Sequence, residues 1–109
     1  MKLSSFFASA PAVSAAEAQA LLDDGAALLD VRERVEWNQG HAPQAIHVPL
    51  SQIARATEHL DKDVQVLVLC RSGHRAKPAT AHLRSLGYNA TTITGGMGAW
   101  ASAGGQVIQ

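Results

Sequence analysis

The only cysteine of this 109-residue chain stands among side chains that can activate a thiol. The segment reads Cys70, Arg71, Ser72, Gly73, His74 and Arg75. Nearby cations favour the thiolate, which is the reactive form of cysteine. A lone cysteine is more often a small buried hydrophobic residue, but such a residue has no need of two arginines and a histidine beside it. We therefore predict Cys70 as a catalytic nucleophile and residues 71–75 as the binding loop for an anionic substrate.

The segments on either side predict where this loop stands in the fold. The apolar run from Val64 to Leu69 is typical of a parallel strand buried on both faces. After the loop, apolar side chains recur at helical spacing until Gly87, and they are Ala76, Ala79, Leu83 and Leu86. Cys70 is thus expected at the carboxyl edge of a sheet, where open α/β folds bind ligands. The positive end of the helix dipole would add to the attraction for an anion.

The rest of the chain alternates between strand and helix patterns. Further strands are predicted at residues 27–31, 45–48 and 91–93. A helix is predicted to begin with a capping box at Ser14 and Glu17 and to end near Gly25. Another is predicted to begin with a cap at Ser51 and to carry Ile53, Thr57 and Leu60 on one face. Short helices are predicted over 34–38 and 99–103. This order predicts an α/β fold with right-handed crossovers, a mainly parallel sheet and helices on both faces.

The length of the loop bears on the chemistry. Cysteine-dependent phosphatases carry their arginine at the sixth position after the cysteine, but that position is Ala76 here, and the arginine stands one residue earlier. A shorter loop should form a tighter cradle, suited to a sulfur atom or a small sulfur oxyanion. No general acid for an alkoxide leaving group is visible, whereas sulfite leaves thiosulfate as an anion without protonation. Sulfur transfer is therefore favoured over phosphate or arsenate chemistry.

Several motifs in a fixed order carry a family resemblance. Beside the cysteine loop, the chain shows LLDVRE at 28–33, EW at 36–37, GHAPQAIHVP at 40–49, GY at 87–88 and GGMGAW at 95–100. Together these motifs resemble a single-domain rhodanese, a thiosulfate sulfurtransferase-like domain. The resemblance implies a three-layer fold with a central sheet of about five strands. We predict a single domain over residues 11–109, and we interpret residues 1–10 as a loose arm because the first helix begins only after the capping box at Ser14. One departure is Ala76, where many relatives have serine; Lys77 and Pro78 follow it.

The resemblance also implies a reaction and its residues. Cys70 would carry a persulfide between two half-reactions, and the residues from Arg71 to Arg75 would hold the persulfide and the anionic donor. The donor would be thiosulfate or a persulfide, and the acceptor would be cyanide in vitro or a thiol or protein in vivo. The alternative is a docking module without catalysis, although inactive relatives typically lack the cysteine that this chain keeps.

Composition narrows the range of partners. Nine basic and nine acidic residues balance without a basic block, so we expect neither nucleic acid nor membrane as a partner. One cysteine cannot form an intramolecular disulfide, and therefore a persulfide on it needs an external acceptor. The five histidines show no metal-binding spacing, and no cofactor is expected. Residues 1–10 resemble a signal peptide only faintly, so we expect a cytoplasmic protein, with an exported form as the alternative.

Other polar and aromatic residues are predicted to be structural. A local network of charged side chains should tie the second strand to the helix after it, and its members are Asp30, Arg32, Glu33 and Glu36. Nothing in the sequence places them near the sulfur. His41 is predicted as a hydrogen-bonded loop anchor, and Trp37 and Trp100 are predicted as core residues.

Overall fold

Five parallel strands form the central sheet of the computed structural model, which describes residues 11–109. The strands are β1 (Ala12–Val13), β2 (Ala27–Asp30), β3 (Ile46–His47), β4 (Val66–Leu69) and β5 (Ala90–Ile93). Their order across the sheet is β1-β5-β4-β2-β3, and all neighbours pair in parallel. All carboxyl ends therefore lie at one edge of the sheet. The loose arm predicted at 1–10 lies outside the described residues.

Helices cover both faces of this sheet, as predicted. They are α1 (Ala15–Asp23), α2 (Arg34–Asn38), a 3₁₀ helix (Leu50–Glu58), α3 (Ala76–Ser85) and α4 (Gly96–Ser102). One core cluster joins Leu29 and Val68 of the sheet to Ala79 and Leu83 of α3. The other joins Leu28 and Leu67 to Ala18 of α1 and to Trp100 of α4. The three-layer α/β fold is thereby confirmed.

The pleat of β4 sets the direction of the sulfur. Val66 and Val68 face the cluster under α3 and the 3₁₀ helix, and Cys70 belongs to the same cluster. Leu67 and Leu69 face the opposite cluster. Because side chains alternate between the two faces of a strand, this register directs Cys70 towards the layer that contains α3.

The capping box predicted at the start of α1 is present. The Glu17 N–H donates to Ser14 Oγ at 3.1 Å, and the Ser14 N–H donates to Glu17 Oε1 at 2.9 Å. Two donors that the helix itself leaves unpaired are satisfied in this way. The hydrogen bond from Ser14 also lowers the pKa of Glu17.

The helix predicted from Ser51 differs in type and in start. It is a 3₁₀ helix that begins at Leu50, after Pro49, and Ser51 makes no capping hydrogen bond. The Leu50 N–H donates to the Val31 carbonyl at 3.0 Å, which ties the first turn to the sheet. Since 3₁₀ helices repeat every three residues, the buried position after Ile53 is Ala56.

Three other predictions need correction, and one strand was missed. Thr57 is exposed and donates to the Ala54 carbonyl at 3.1 Å, so it is not on the buried face of the 3₁₀ helix. Leu86 is 39% exposed because α3 ends at Ser85, before the periodic pattern does. Helix α4 begins at Gly96 rather than at 99. Strand β1 was not predicted, because two residues are too few to show a periodic pattern.

Candidate active site

Cys70 directly follows β4 at the carboxyl edge of the sheet and is fully buried. The Gly73 N–H donates a hydrogen bond to Cys70 Sγ across 2.8 Å. This approach needs a left-handed backbone, and Gly73 has a φ of +100°, which glycine adopts without the steric cost of a Cβ. The loop therefore folds back over the sulfur and offers it a backbone hydrogen-bond donor.

A second segment supports the loop from the side of α4. The Met97 N–H donates to the Cys70 carbonyl at 2.8 Å and to the Arg71 carbonyl at 3.1 Å. Gly96 lies so close to the loop that a Cβ built on it would stand 2.3 Å from the Arg71 carbonyl oxygen. The glycine pair at the start of α4, Gly95 as its N-cap and Gly96 as its first residue, thus lets the helix start pack directly against the backbone at Cys70 and Arg71.

Arg75, the last residue of the loop, forms an ion pair with Glu36 of α2. Arg75 Nη2 donates to Glu36 Oε2 at 2.7 Å, and Nη1 donates to Oε1. This two-pronged geometry fixes the plane of the guanidinium more firmly than a single contact would. The end of the cysteine loop is therefore held by a helix that stands after β2, the neighbouring strand in the sheet.

The pKa values of the pair reflect this contact. The hydrogen bond from Arg75 lowers the pKa of Glu36 from 4.5 to about 2. The same contact raises the pKa of Arg75, with smaller contributions from the negative charges of Cys70 and Glu33. Arg75 is therefore a permanent cation whose field includes the sulfur.

A second ion pair, between Arg32 and Asp30, is buried. Arg32 Nε donates to both Asp30 carboxylate oxygens at 3.0 Å, and Arg32 Nη2 donates to Asp30 Oδ2 at 2.8 Å. Arg32 Nη2 also donates to the Gly40 carbonyl at 2.8 Å. Arg32 Nη1 donates to the Glu36 carbonyl of α2 at 3.4 Å, and the Glu33 N–H donates to Glu36 Oε1 at 3.0 Å, so the predicted network between strand and helix is present. It is not merely local, because Glu36, a residue that the sequence placed in it, extends the network to the cysteine loop.

Trp37 lies between two histidine rings rather than in the core. Its ring centroid lies 3.7 Å from that of His41 and 4.6 Å from that of His47, with nearly parallel planes. His41 Nδ1 lies 3.0 Å from the Trp37 carbonyl oxygen, which confirms its role as a loop anchor. Trp100 is buried, as predicted, and donates to the Gln106 carbonyl. The stack holds α2, and with it Glu36, in position.

The three remaining residues of the loop lie at its exposed rim. They are Arg71, Ser72 and His74. Ser72 Oγ lies 3.0 Å from His74 Nδ1, so the hydroxyl fixes one nitrogen of the imidazole. The structure thus brings the predicted loop together around Cys70, with Gly73 on the sulfur and Arg75 turned to Glu36.

Two clefts open beside the loop. One, of about 390 Å³, is lined by Arg71, Glu36, Gln39 and Met97, among others. The other, of about 260 Å³, is lined on one wall by Gly73, His74 and Lys77. No site role was predicted for Glu36 or Met97, because both reach the loop only through tertiary contacts. The family motifs that contain them were the only available signal.

Within residues 11–109, no three side chains of the His, Cys, Asp and Glu types come together as metal ligands. In the same part of the chain, no helix combines the length and the hydropathy needed to cross a bilayer.

Known proteins share both the sequence and the fold. YtwF of Bacillus subtilis, assigned to the sulfurtransferases, is 38% identical over 78 residues, which are 72% of this chain and 76% of that relative. A rhodanese-related protein from Thermoplasma volcanium superposes with a TM-score of 0.81 at 28% identity, over 90% of this chain and 97% of that one.

A larger protein contains the same fold. The thiosulfate sulfurtransferase of Pseudomonas aeruginosa superposes with a TM-score of 0.82 at 26% identity. The alignment covers 92% of this chain but only 19% of that longer one. Residues 14–103 also match the sequence pattern described as the rhodanese-like domain. With most of its length matched by this pattern and by the relatives, the chain belongs to the rhodanese-like domain family.

Proposed function

We propose that this domain is a sulfurtransferase in which Cys70 carries the sulfur as a persulfide. The observation that supports this most directly is the hydrogen bond of 2.8 Å from the Gly73 N–H to Cys70 Sγ. Backbone donors aimed at a sulfur stabilise the thiolate before reaction and the persulfide anion after it. The sulfurtransferase relative and the family membership support the same reaction class.

In the first half-reaction the Cys70 thiolate attacks the outer sulfur of thiosulfate. The new bond joins Cys70 Sγ to that sulfur, while the sulfur–sulfur bond of thiosulfate breaks and its electron pair leaves with sulfite. Charge balances, because a thiolate and a dianion give a persulfide anion and a dianion. The loop N–H groups and the cations Arg71 and Arg75 would stabilise the incoming and departing anions.

In the second half-reaction an acceptor removes the sulfur. A thiolate or cyanide attacks the outer sulfur of the persulfide, and Cys70 leaves as a thiolate ready for the next cycle. The chain has one cysteine, so an external acceptor, either a small thiol or a protein thiol, must take this role. We propose a cytoplasmic setting, where such thiols stay reduced.

The test is the intact mass of the purified protein before and after incubation with thiosulfate, with Cys70→Ser as the matched variant. We expect the wild type to gain one sulfur atom and to lose it on addition of cyanide, and the variant to gain none. If neither thiosulfate nor a small persulfide loads the wild type, the proposal is wrong and a docking role takes its place. Equal gain in the variant would place the sulfur on another residue.

A further inference from the structure

One residue, Gly73, contacts both the cleft of about 260 Å³ beside the loop and the sulfur of Cys70. This residue lines the cleft, and its N–H is the group that contacts Cys70 Sγ at 2.8 Å. A molecule in the cleft would therefore contact the loop residue whose N–H lies against the sulfur. Thr94 and Gly95, which follow β5, also line the cleft.

The permanent charge that lines this cleft is that of Lys77, and no carboxylate of the described residues lines it. Among residues 11–109 the ion pairs are Arg32 with Asp30 and Arg75 with Glu36, which leaves the Lys77 ammonium without an ionic partner there. Clefts that carry unpaired charge of one sign attract ligands of the opposite sign. The cleft therefore suits a molecule with a carboxylate.

His74 has the geometry of a proton acceptor at this site. Its Nδ1 lies 3.0 Å from Ser72 Oγ, and a hydroxyl oxygen can accept a hydrogen bond from Nδ1–H in both the neutral and the charged imidazole. When Nδ1–H donates to Ser72 Oγ, the neutral ring has its lone pair on Nε2. Imidazole is the side chain best suited to exchange a proton near neutral pH.

We propose that this cleft binds the acceptor, and that the acceptor is a small thiol bearing a carboxylate. Lys77 binds the carboxylate, and His74 Nε2 takes the thiol proton. The resulting thiolate attacks the outer sulfur of the persulfide, the bond to Cys70 Sγ breaks, and Cys70 leaves as a thiolate. The sulfur departs as the persulfide of the acceptor, and the proton passes from His74 to water. The assignment rests on the proposed function.

Lys77 is tested on protein that has first been loaded with sulfur by thiosulfate. The rate of discharge by 3-mercaptopropionate is divided by the rate with 2-mercaptoethanol, which has no carboxylate. We expect Lys77→Gln to lower this ratio about two- to fivefold, the scale of an exposed ionic contact. The matched control is Lys62→Gln, because Lys62 lies over the Tyr88 ring and not at the loop, and it should keep the wild-type ratio.

His74 is tested with two thiols that differ in ionisation. An aliphatic thiol is protonated at pH 7 and needs a base, whereas an aromatic thiol that is already ionised does not. We expect His74→Asn to reduce the rate with the aliphatic thiol relative to that with the aromatic thiolate by at least about tenfold. A purely structural role would lower both rates together and would overturn the assignment.

The two levels of the proposal fail differently. If the wild type takes up no sulfur, the sulfurtransferase function is wrong and the acceptor site is lost with it. If the wild type loads sulfur but Lys77→Gln has the same ratio of discharge rates as the wild type, only the acceptor site is wrong.

Discussion

Glu36 and Arg75 are 39 residues apart in the chain and form a two-pronged ion pair at the edge of the sheet. The pair joins α2, which follows β2, to the end of the cysteine loop, which follows β4. Because β2 and β4 are neighbours in the sheet, their carboxyl ends bring the two side chains together. The ion pair thereby sets the position of a cation whose field includes Cys70.

Glu36→Gln is expected to lower kcat/KM for thiosulfate about 10- to 100-fold. The amide keeps the size of the side chain but cannot hold the guanidinium by charge, and small displacements of a group that orients a substrate are costly. Steady-state kinetics measure the loss. The matched control is Glu58→Gln, an exposed carboxylate at the end of the 3₁₀ helix, which should retain wild-type kinetics. Wild-type kinetics in Glu36→Gln would show that the ion pair does not matter for catalysis.

Arg75→Ala is expected to lower thiosulfate use about 10- to 1000-fold, since it removes a charge that stabilises the anion. Adding Glu36→Gln to Arg75→Ala should cause little further loss, because the two side chains act as one unit. The kinetics of both single variants and the double variant measure this coupling. Additive losses would mean that Glu36 acts on the loop by a route other than Arg75.

The ion pair also predicts a pH dependence of stability. The pKa of Glu36 is lowered in the folded protein to about 2 from 4.5, so the unfolded chain binds a proton first as the pH falls. The stabilisation is present above about pH 4.5 and is lost as the pH falls towards 2. The free energy of unfolding of the wild type should exceed that of Glu36→Gln by about 1 kcal/mol at pH 6. This difference should shrink on acidification, and a constant difference down to pH 2 would contradict the assignment.

Gly96→Ala is expected to destabilise the protein by at least about 2 kcal/mol, because alanine would take a left-handed backbone there at a cost. Its Cβ would also stand 2.3 Å from the Arg71 carbonyl oxygen. Gly98→Ala is the matched control within the same helix, since a Cβ there meets nothing within 4 Å. The free energy of unfolding of Gly98→Ala should rise by about 0.5–1 kcal/mol, because alanine reduces the entropy of the unfolded chain. Denaturant unfolding of both variants checks the prediction, and equal stabilities would contradict it.

Asp30→Asn is expected to lower the free energy of unfolding by about 3–5 kcal/mol, because the Arg32 charge would be left buried without its partner. Asp30 is 0% and Arg32 is 5% exposed, so water cannot replace the lost carboxylate. Urea unfolding measures the change, with the exposed Asp63→Asn as a control near zero. A loss below about 1 kcal/mol would show that Arg32 finds other partners, such as the carbonyl oxygens it already contacts.

The sequence alone determined the class of fold and the position of Cys70, the proposed nucleophile, at the end of a buried strand. Both depend on contacts close in the chain: the buried run before Cys70, the glycine three residues after it and the helical spacing beyond. The capping box at Ser14 was predictable for the same reason, since its two hydrogen bonds join residues three apart. Local geometry of this kind is encoded by neighbouring residue types.

Only the tertiary structure decided which distant side chains complete the site. Glu36 reaches Arg75, Met97 reaches the carbonyl of Cys70, and Trp37 enters a histidine stack, because parallel strands bring their carboxyl ends to one edge. The two-residue strand β1 exists only through its pairing with β5. The 3₁₀ helix begins where the Leu50 N–H donates to the Val31 carbonyl. Such contacts depend on strand order, which no single segment of the chain encodes.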